Sequence, residues 1–215
     1  MITSKRHDDG FSLIELLVAM ALFSFLLLIV SSGFIGVVRT YQAGVSQRLV
    51  QQNSRLIIDD ITRTVRIAQK VQVAPGNVSV TLGGVPGSLK QDIVCLNTST
   101  GIIVYAVERV AQGRLRQGIY PVSTPCAYPS AGTIATWRTL GDVSVMVGKF
   151  SVTSTASQGA SQQTASIGLS TASIFSQSLL VPVTSTSDFA CKPQAGSQYC
   201  SVSHFIGTVQ LRGGQ

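Results

Sequence analysis

The stretch Gly10-Phe11-Ser12-Leu13-Ile14-Glu15-Leu16-Leu17-Val18-Ala19-Met20 decides how this chain is organised. It closes a polar leader, residues 1–10, and opens an apolar run over residues 11–38 with a single charge, Glu15. As a helix the run reaches roughly 42 Å at about 1.5 Å per residue, whereas the hydrocarbon core of a bilayer needs only about 20 residues. The run is therefore long enough to span a membrane.

Glu15 is the unusual residue of the run. A carboxylate inside lipid costs on the order of 2.5–3.5 kcal/mol even on the lenient insertion scale, and acids within a membrane usually have a partner and a function. The next cation along the helix, Arg39, is roughly six turns away. The partner therefore has to come from another chain or from a newly made N-terminus.

The residues Gly-Phe-Ser-Leu-Ile-Glu, after a short leader that contains Lys5 and Arg6, resemble the processing site of type IV prepilins and pseudopilins. The resemblance implies that a prepilin peptidase cuts between Gly10 and Phe11 and methylates the new terminus on Phe11. It also implies that Glu15 recruits and registers subunits. The physics agrees, because cleavage creates an α-ammonium group on Phe11 that a neighbour's Glu15 neutralises inside an apolar filament core.

An ordinary signal anchor and a secretory signal peptide are the competing interpretations. A signal peptide carries its cleavage site after an apolar region of about 7–15 residues, whereas here the glycine precedes the apolar run, which would remain in the mature protein. Lys5 and Arg6 in the leader predict that this end stays in the cytoplasm, by the positive-inside rule. Most of the chain then lies outside the cytoplasm.

The resemblance implies an α+β fold, a long N-terminal helix packed on an antiparallel β-sheet head. The residues themselves give no sign of enzymatic activity, a cofactor or a metal, and we expect none. We expect a cleaved leader (1–10), a transmembrane and filament-core half-helix (11–38), an amphipathic continuation (39–73) and an extracytoplasmic β-rich head (74–215). The implied partners are other pilin or pseudopilin subunits, the prepilin peptidase, an inner-membrane assembly platform with its ATPase, and membrane lipid before assembly. A single-pass membrane precursor would become part of an extracellular or envelope filament.

An apolar stripe at near-helical spacing predicts that the helix continues past residue 39 and lies against a sheet. The stripe consists of Leu49, Leu56, Ile61, Val65 and Ala68. Asp59 and Arg63, four residues apart, are expected to add a few tenths of a kcal/mol. Gly33 and Gly36 each cost a helix about 1 kcal/mol relative to alanine, and the sequence leaves open whether the helix melts there.

Beyond residue 77 the chain reads as strands separated by glycine turns. We predict strands at 78–82, 92–96, 101–109, 114–117, 133–140, 143–147, 150–155 and 205–211, with turns at 112–113, 141–142 and 148–149. The Ser- and Thr-rich stretch 151–187 fits an exposed sheet face, a long loop or a glycosylated surface. We prefer a loop with one strand near 174–183.

Part of the head resembles a subgroup of the family, the minor pilins of the W type and their J-type pseudopilin relatives. The resemblance lies in Val104-Tyr105-Ala106-Val107-Glu108 followed by Gly113-Arg114-Leu115-Arg116, in residues 140–143 leading to 150–152, and in the ending 208–212. It implies a low-copy subunit. The sequence leaves open which machine it serves: an adhesion or motility pilus, a type II secretion pseudopilus or a competence filament.

Four cysteines in a head outside the cytoplasm predict disulfides. They are Cys95, Cys126, Cys191 and Cys200, and none has the spacing of a zinc site. Three pairings are open. We favour Cys191–Cys200 with Cys95–Cys126, because the first closes a short turn-rich loop worth roughly 2.5–3 kcal/mol. That loop also resembles the C-terminal disulfide loop of many type IV pilins.

The formal net charge of +7 favours anionic partners such as DNA, envelope polymers or acidic lipids, or describes a solvated basic surface. The cations are scattered, so the nucleic-acid signal is weak. No hydrolase, metalloprotease or phosphate-loop motif occurs. We expect Asp59-Asp60 to be solvated and His204, one residue before a predicted strand, to be structural. The alternative function is a filament-tip subunit gripping DNA, or another anion, in a DNA-uptake system.

Overall fold

The computed structural model describes residues 12–82, 85–108, 113–123, 125–129, 133, 136–156, 163–173, 179–183, 188–192 and 200–211. The chain divides into two compact units, Met1–Tyr41 and Gln42–Gln215. The first unit contains the apolar half of one long helix. The second contains the rest of that helix and the strands, and it has the α+β, pilin-like architecture expected from the sequence.

The helix α1 (Leu13–Ile67) runs without a break through Gly33 and Gly36. In the first unit the large apolar side chains of α1 are exposed. The most apolar 18-residue segment of the helix has a mean hydropathy of 2.8. By length and composition, α1 is therefore a candidate membrane span. The helix ends at Ile67, whereas the sequence predicted that it continues to residue 73. The reason is that Lys70–Ala74 form a strand that pairs with Ile93–Asn97.

Twelve strands are described, nearly all antiparallel to their neighbours. They are β1 (Lys70–Ala74), β2 (Asn77–Leu82), β3 (Val85–Lys90), β4 (Ile93–Asn97), β5 (Ile102–Val107), β6 (Leu115–Tyr120), β7 (Arg138–Thr139), β8 (Val145–Ala156), β9 (Gln163–Ser173), β10 (Leu180–Val183), β11 (Asp188–Cys191) and β12 (Val202–Gln210).

These strands form a five-stranded sheet in the order β1-β4-β5-β6-β7 and a three-stranded sheet in the order β12-β9-β8. Two hairpins, β2-β3 and β10-β11, complete the set. The two larger sheets meet where Gln91 bridges Phe150. There the buried carboxylate of Asp92 accepts a 2.9 Å hydrogen bond from the amide of Val152, so a satisfied polar group joins the sheets.

The main core lies between the second half of α1 and both larger sheets. The helix buries Val50, Ser54, Ile57, Ile61 and Val65, spaced three or four residues apart as one helical face requires. The predicted stripe was right at Ile61, Val65 and Ala68. It was wrong at Leu56, which is 65% exposed, because the buried face passes through its neighbour Ile57.

The hairpin predicted around residues 101–117 is confirmed as β5-β6, with Val107 opposite Leu115. Of the predicted strand at 133–140, residues 134–135 lie outside the described residues; among the others Arg138–Thr139 alone joins the ladder, so the prediction was wrong at 133, 136, 137 and 140. Trp137 explains the difference. Its indole lies over Gly118, where a Cβ would come within 2.1 Å of the ring, so this segment packs through a side chain rather than through backbone pairing.

The two strands predicted at 143–147 and 150–155 are one strand, β8, with an irregular register between Val147 and Lys149. Gly148 is not a turn. A Cβ on it would lie 1.6 Å from the Phe189 ring, and its carbonyl accepts a 3.0 Å hydrogen bond from Gln91 Nε2. The glycine therefore lets an aromatic ring from β11 pack against the backbone of β8.

The Ser- and Thr-rich stretch was wrong as a loop, because Gln163–Ser173 forms the central strand of the three-stranded sheet. The exposed-sheet alternative describes it better. Polar side chains alternate with the buried Ala165, Ile167 and Leu169. Residues 174–178 of the predicted strand at 174–183 lie outside the described residues, whereas Leu180–Val183 is strand.

Candidate functional site

The residue Ser12 lies at the N-cap position of α1, and the Glu15 side chain accepts the hydrogen bond that forms one half of a capping box. The amide of Ser12 donates a 3.2 Å hydrogen bond to Glu15 Oε2, and the Ser12 carbonyl accepts a 3.0 Å bond from the Glu15 amide. A serine with a glutamate three residues later is the sequence signature of a capping box. The spacing signals it, although the sequence analysis overlooked Ser12.

Glu15 lies on an exposed apolar helix and has no ion-pair partner among the described residues. Its neighbours on the same face form a shallow groove of about 390 Å³ with the side chains of Ile14, Val18, Ala19 and Leu22. Ala19, one helical turn beyond Glu15, is the small residue of the set. The arrangement presents one acid beside an apolar depression wide enough for another chain's atoms.

The other predicted processing residues, Gly10 and Phe11 with Lys5 and Arg6 in the leader, lie outside the described residues. Of the candidate N-terminal site, the structure describes Ser12, Glu15 and the groove, which lie together at the start of α1.

The comparisons with known proteins address this same end of the chain. Residues 5–31 match the family model for the prokaryotic N-terminal methylation motif, a span that contains the capping box and the acid. The chain carries the type IV pilin and pseudopilin signature. The pilin signature implies assembly with other pilin subunits and recognition by the prepilin peptidase, and it fits a membrane-anchored precursor. No curated protein and no solved structure matched the chain.

In the head, a polar cluster fixes α1 on the five-stranded sheet. Asp60 Oδ1 accepts a 2.9 Å bond from Arg138 of β7, so Asp60, whose side chain is 33% exposed, is ion-paired as well as partly solvated, whereas Asp59 is exposed as predicted. The Tyr105 hydroxyl of β5 donates to Thr64 Oγ1 at 2.9 Å and accepts from Gln117 at 2.8 Å. Burial raises the pKa of Tyr105 to about 12. The predicted pair of Asp59 with Arg63 is not among the ion pairs of the described residues.

Two disulfides are present, Cys95–Cys126 and Cys191–Cys200, in the pairing that the sequence analysis favoured. Cys95 is buried in β4 within a second apolar cluster that includes Trp137. The bridge Cys191–Cys200 joins the end of β11 to the segment just before β12. It packs against a third apolar cluster that contains Phe189. The two bridges thus hold different parts of the head.

The residue His204 lies inside β12 rather than before it. Its Nδ1 is 2.8 Å from Ser170 Oγ and 3.3 Å from Asp188 Oδ2. Sequence reasoning missed this group, because Ser170, Asp188 and His204 belong to three strands and no local spacing links them. Both contacts use the same ring nitrogen, whereas a Ser-His-Asp catalytic triad needs one partner on each nitrogen. The group is therefore not a catalytic triad.

Proposed function

We propose that this chain is a structural subunit of a type IV pilus-like filament. The peptidase cuts after Gly10, Phe11 becomes an N-methylated terminus, and the apolar half of α1 passes from the membrane into the filament. An assembly platform and its ATPase drive that transfer. The observation that carries the proposal is Glu15 on an exposed apolar helix. Among the described residues its carboxylate has one hydrogen-bond partner, the backbone amide of Ser12.

The pairing partner we propose for Glu15 is the ammonium group of Phe11 on a neighbouring subunit. A charge moved from water into an apolar core is strongly unfavourable unless it is paired. The groove beside Ala19 offers space for that neighbour. One axial stagger between helices satisfies both charges at once, so the pair also selects the register of the filament.

The experiment compares Glu15→Val with Glu15→Gln. Glutamine keeps a side-chain acceptor for the Ser12 amide but removes the negative charge. We expect both variants to be processed nearly as wild type and both to be poorly incorporated, measured by immunoblot of sheared filaments against membranes. Normal incorporation of Glu15→Gln would show that the cap, and not the charge, is what matters, and would contradict the pairing.

The subunit type we propose is a minor, low-copy one of the W type or its J-type pseudopilin relatives. The support is the resemblance of the β5-β6 hairpin and a head built from several small sheets with two disulfides. Quantitative mass spectrometry of purified filaments tests it. A copy number equal to that of the most abundant subunit would contradict it.

A filament-tip subunit that binds DNA is the second candidate. The observation in its favour is that Arg48, Arg55, Arg63 and Arg66 are all exposed on the second half of α1, in a chain of net charge +7. Binding of the full chain in detergent to duplex DNA should weaken steeply as salt rises. Absence of binding at low salt would remove this candidate.

A further inference from the structure

The outer face of the three-stranded sheet carries a small depression with several polar side chains, in addition to the N-terminal site. Its volume is about 280 Å³, and its lining combines Lys149 and Ser151 of β8, Ser166 and Ser170 of β9, and His204 of β12. The strand register explains the grouping. Lys149 and His204 both lie opposite Ser170, one on each side, so the two basic residues flank a central hydroxyl with their backbones about 10 Å apart.

The floor of the depression is Gly168, which lies opposite Ser151 on one side and Ile206 on the other. A Cβ on Gly168 would come within 2.7 Å of Ser151 Oγ. The absence of a side chain here therefore leaves room above the sheet and lets the Ser151 hydroxyl lie over the strand. The result is a recess in a face that strand pairing alone would leave flat.

The acid at this site, Asp188, is 7% exposed and its oxygens are already used. Oδ2 accepts a 2.8 Å bond from Ser170 and Oδ1 accepts a 2.8 Å bond from the Phe189 amide. Since Ser170 gives its proton to Asp188, Nδ1 of His204 is the donor toward Ser170. The second ring nitrogen, Nε2, is then the one left for a ligand.

The remaining polar groups of the lining are an ammonium, an imidazole and hydroxyls, all of which donate hydrogen bonds when the imidazole is protonated. None of the ion pairs of the described residues involves Lys149. We infer that this depression binds one small anionic group of the phosphate or carboxylate class, held by Lys149, His204 and the Ser151 hydroxyl. The inference does not depend on the filament role.

The test uses the full chain in detergent micelles. Sodium phosphate replaces sodium chloride at constant pH and ionic strength, and the imidazole signals are followed by NMR. The chain has two histidines, so His7 in the leader is an internal reference for His204. We expect a saturable shift of the His204 signals and no saturable shift of His7. Lys149→Gln should weaken binding about tenfold or more, the loss of roughly 1.4 kcal/mol of interaction.

The matched control is Lys70→Gln, which removes an exposed lysine from the other large sheet and should bind as wild type. If Lys149→Gln fails to fold, Ser151→Ala takes its place with the same expectation of weaker binding. A parallel titration with acetate separates the two ligand classes, and a saturable response to either anion supports the site. A linear response to both anions, or equal shifts of both histidines, or unchanged binding by the variant that folds, would overturn it.

Discussion

The hydroxyl of Tyr105 donates a 2.9 Å hydrogen bond to Oγ1 of Thr64. This bond joins the central strand of the five-stranded sheet to α1. The side chain of Tyr105 is completely buried. A buried hydroxyl without a partner costs about 1–3 kcal/mol, so the helix and the strand are matched at this point by chemistry as well as by shape.

The first prediction concerns alkaline stability. Burial raises the pKa of Tyr105 from 10.0 to about 12 in the folded protein, so the unfolded chain ionises first as pH rises. The contribution of Tyr105 is fully present below pH 10 and is lost as pH rises to about 12, up to about 3 kcal/mol. Urea unfolding against pH should show this loss. Tyr105→Phe should show a shallower decline over the same interval, and an unchanged slope would contradict the account.

The second prediction compares two neighbours on α1. Ile57 is 2% exposed whereas Leu56 is 65% exposed. Ile57→Ala should destabilise the protein by about 2–5 kcal/mol, since it removes buried methyl groups and leaves a cavity. Leu56→Ala is the control and should change the free energy of unfolding by less than about 0.5 kcal/mol. Denaturant unfolding measures both variants, and equal losses of unfolding free energy would show that the buried face of α1 is assigned incorrectly.

The third prediction concerns Gly148. A methyl group there would overlap the Phe189 ring, so Gly148→Ala should cost about 1–3 kcal/mol through forced displacement of packed atoms. Gly207→Ala in β12 is the control, because its Cβ would meet Ile58 at an ordinary 3.7 Å. Thermal unfolding of the two variants should differ clearly. A stable Gly148→Ala protein would mean that β8 and β11 are not packed in this way.

The fourth prediction ranks the disulfides. Cys95 and Cys126 are 31 residues apart, and Cys191 and Cys200 are 9 apart. Under the loop-entropy relation the longer loop contributes about 3.7 kcal/mol and the shorter about 2.7 kcal/mol. The double Cys→Ser variant of the first pair should therefore be the less stable of the two in urea. The reverse ranking would show that loop length does not govern the effect.

The sequence predicted the apolar anchor and most strands, because both depend on local patterns of apolar residues. It failed where a distant residue decides. Leu56 and Ile57 are equally apolar, and only the position of the sheets selects one of them. Gly148 reads as a turn until Phe189 is placed above it. The ion pair of Asp60 with Arg138 has no local signal, because β7 brings the arginine to it.

The polar sheet face of β9 shows a second reason. A strand with serine and threonine on one side has the composition of a loop, and its buried side, with Ala165, Ile167 and Leu169, gives a weak apolar signal. At the N-terminal end of the chain, by contrast, local spacing is sufficient. Ser12 and Glu15 are three residues apart, so their geometry follows from local spacing alone, and the same stretch carries the family signature.

The mass of the N-terminal peptide of the chain, taken from purified filaments, tests the central claim most directly. The account predicts a peptide that begins at N-methylated Phe11 and lacks residues 1–10. Gly10→Leu should keep the leader and be absent from filaments, because a larger side chain does not fit a glycine-shaped cleavage site. A chain in finished filaments that still begins at Met1 would contradict the account.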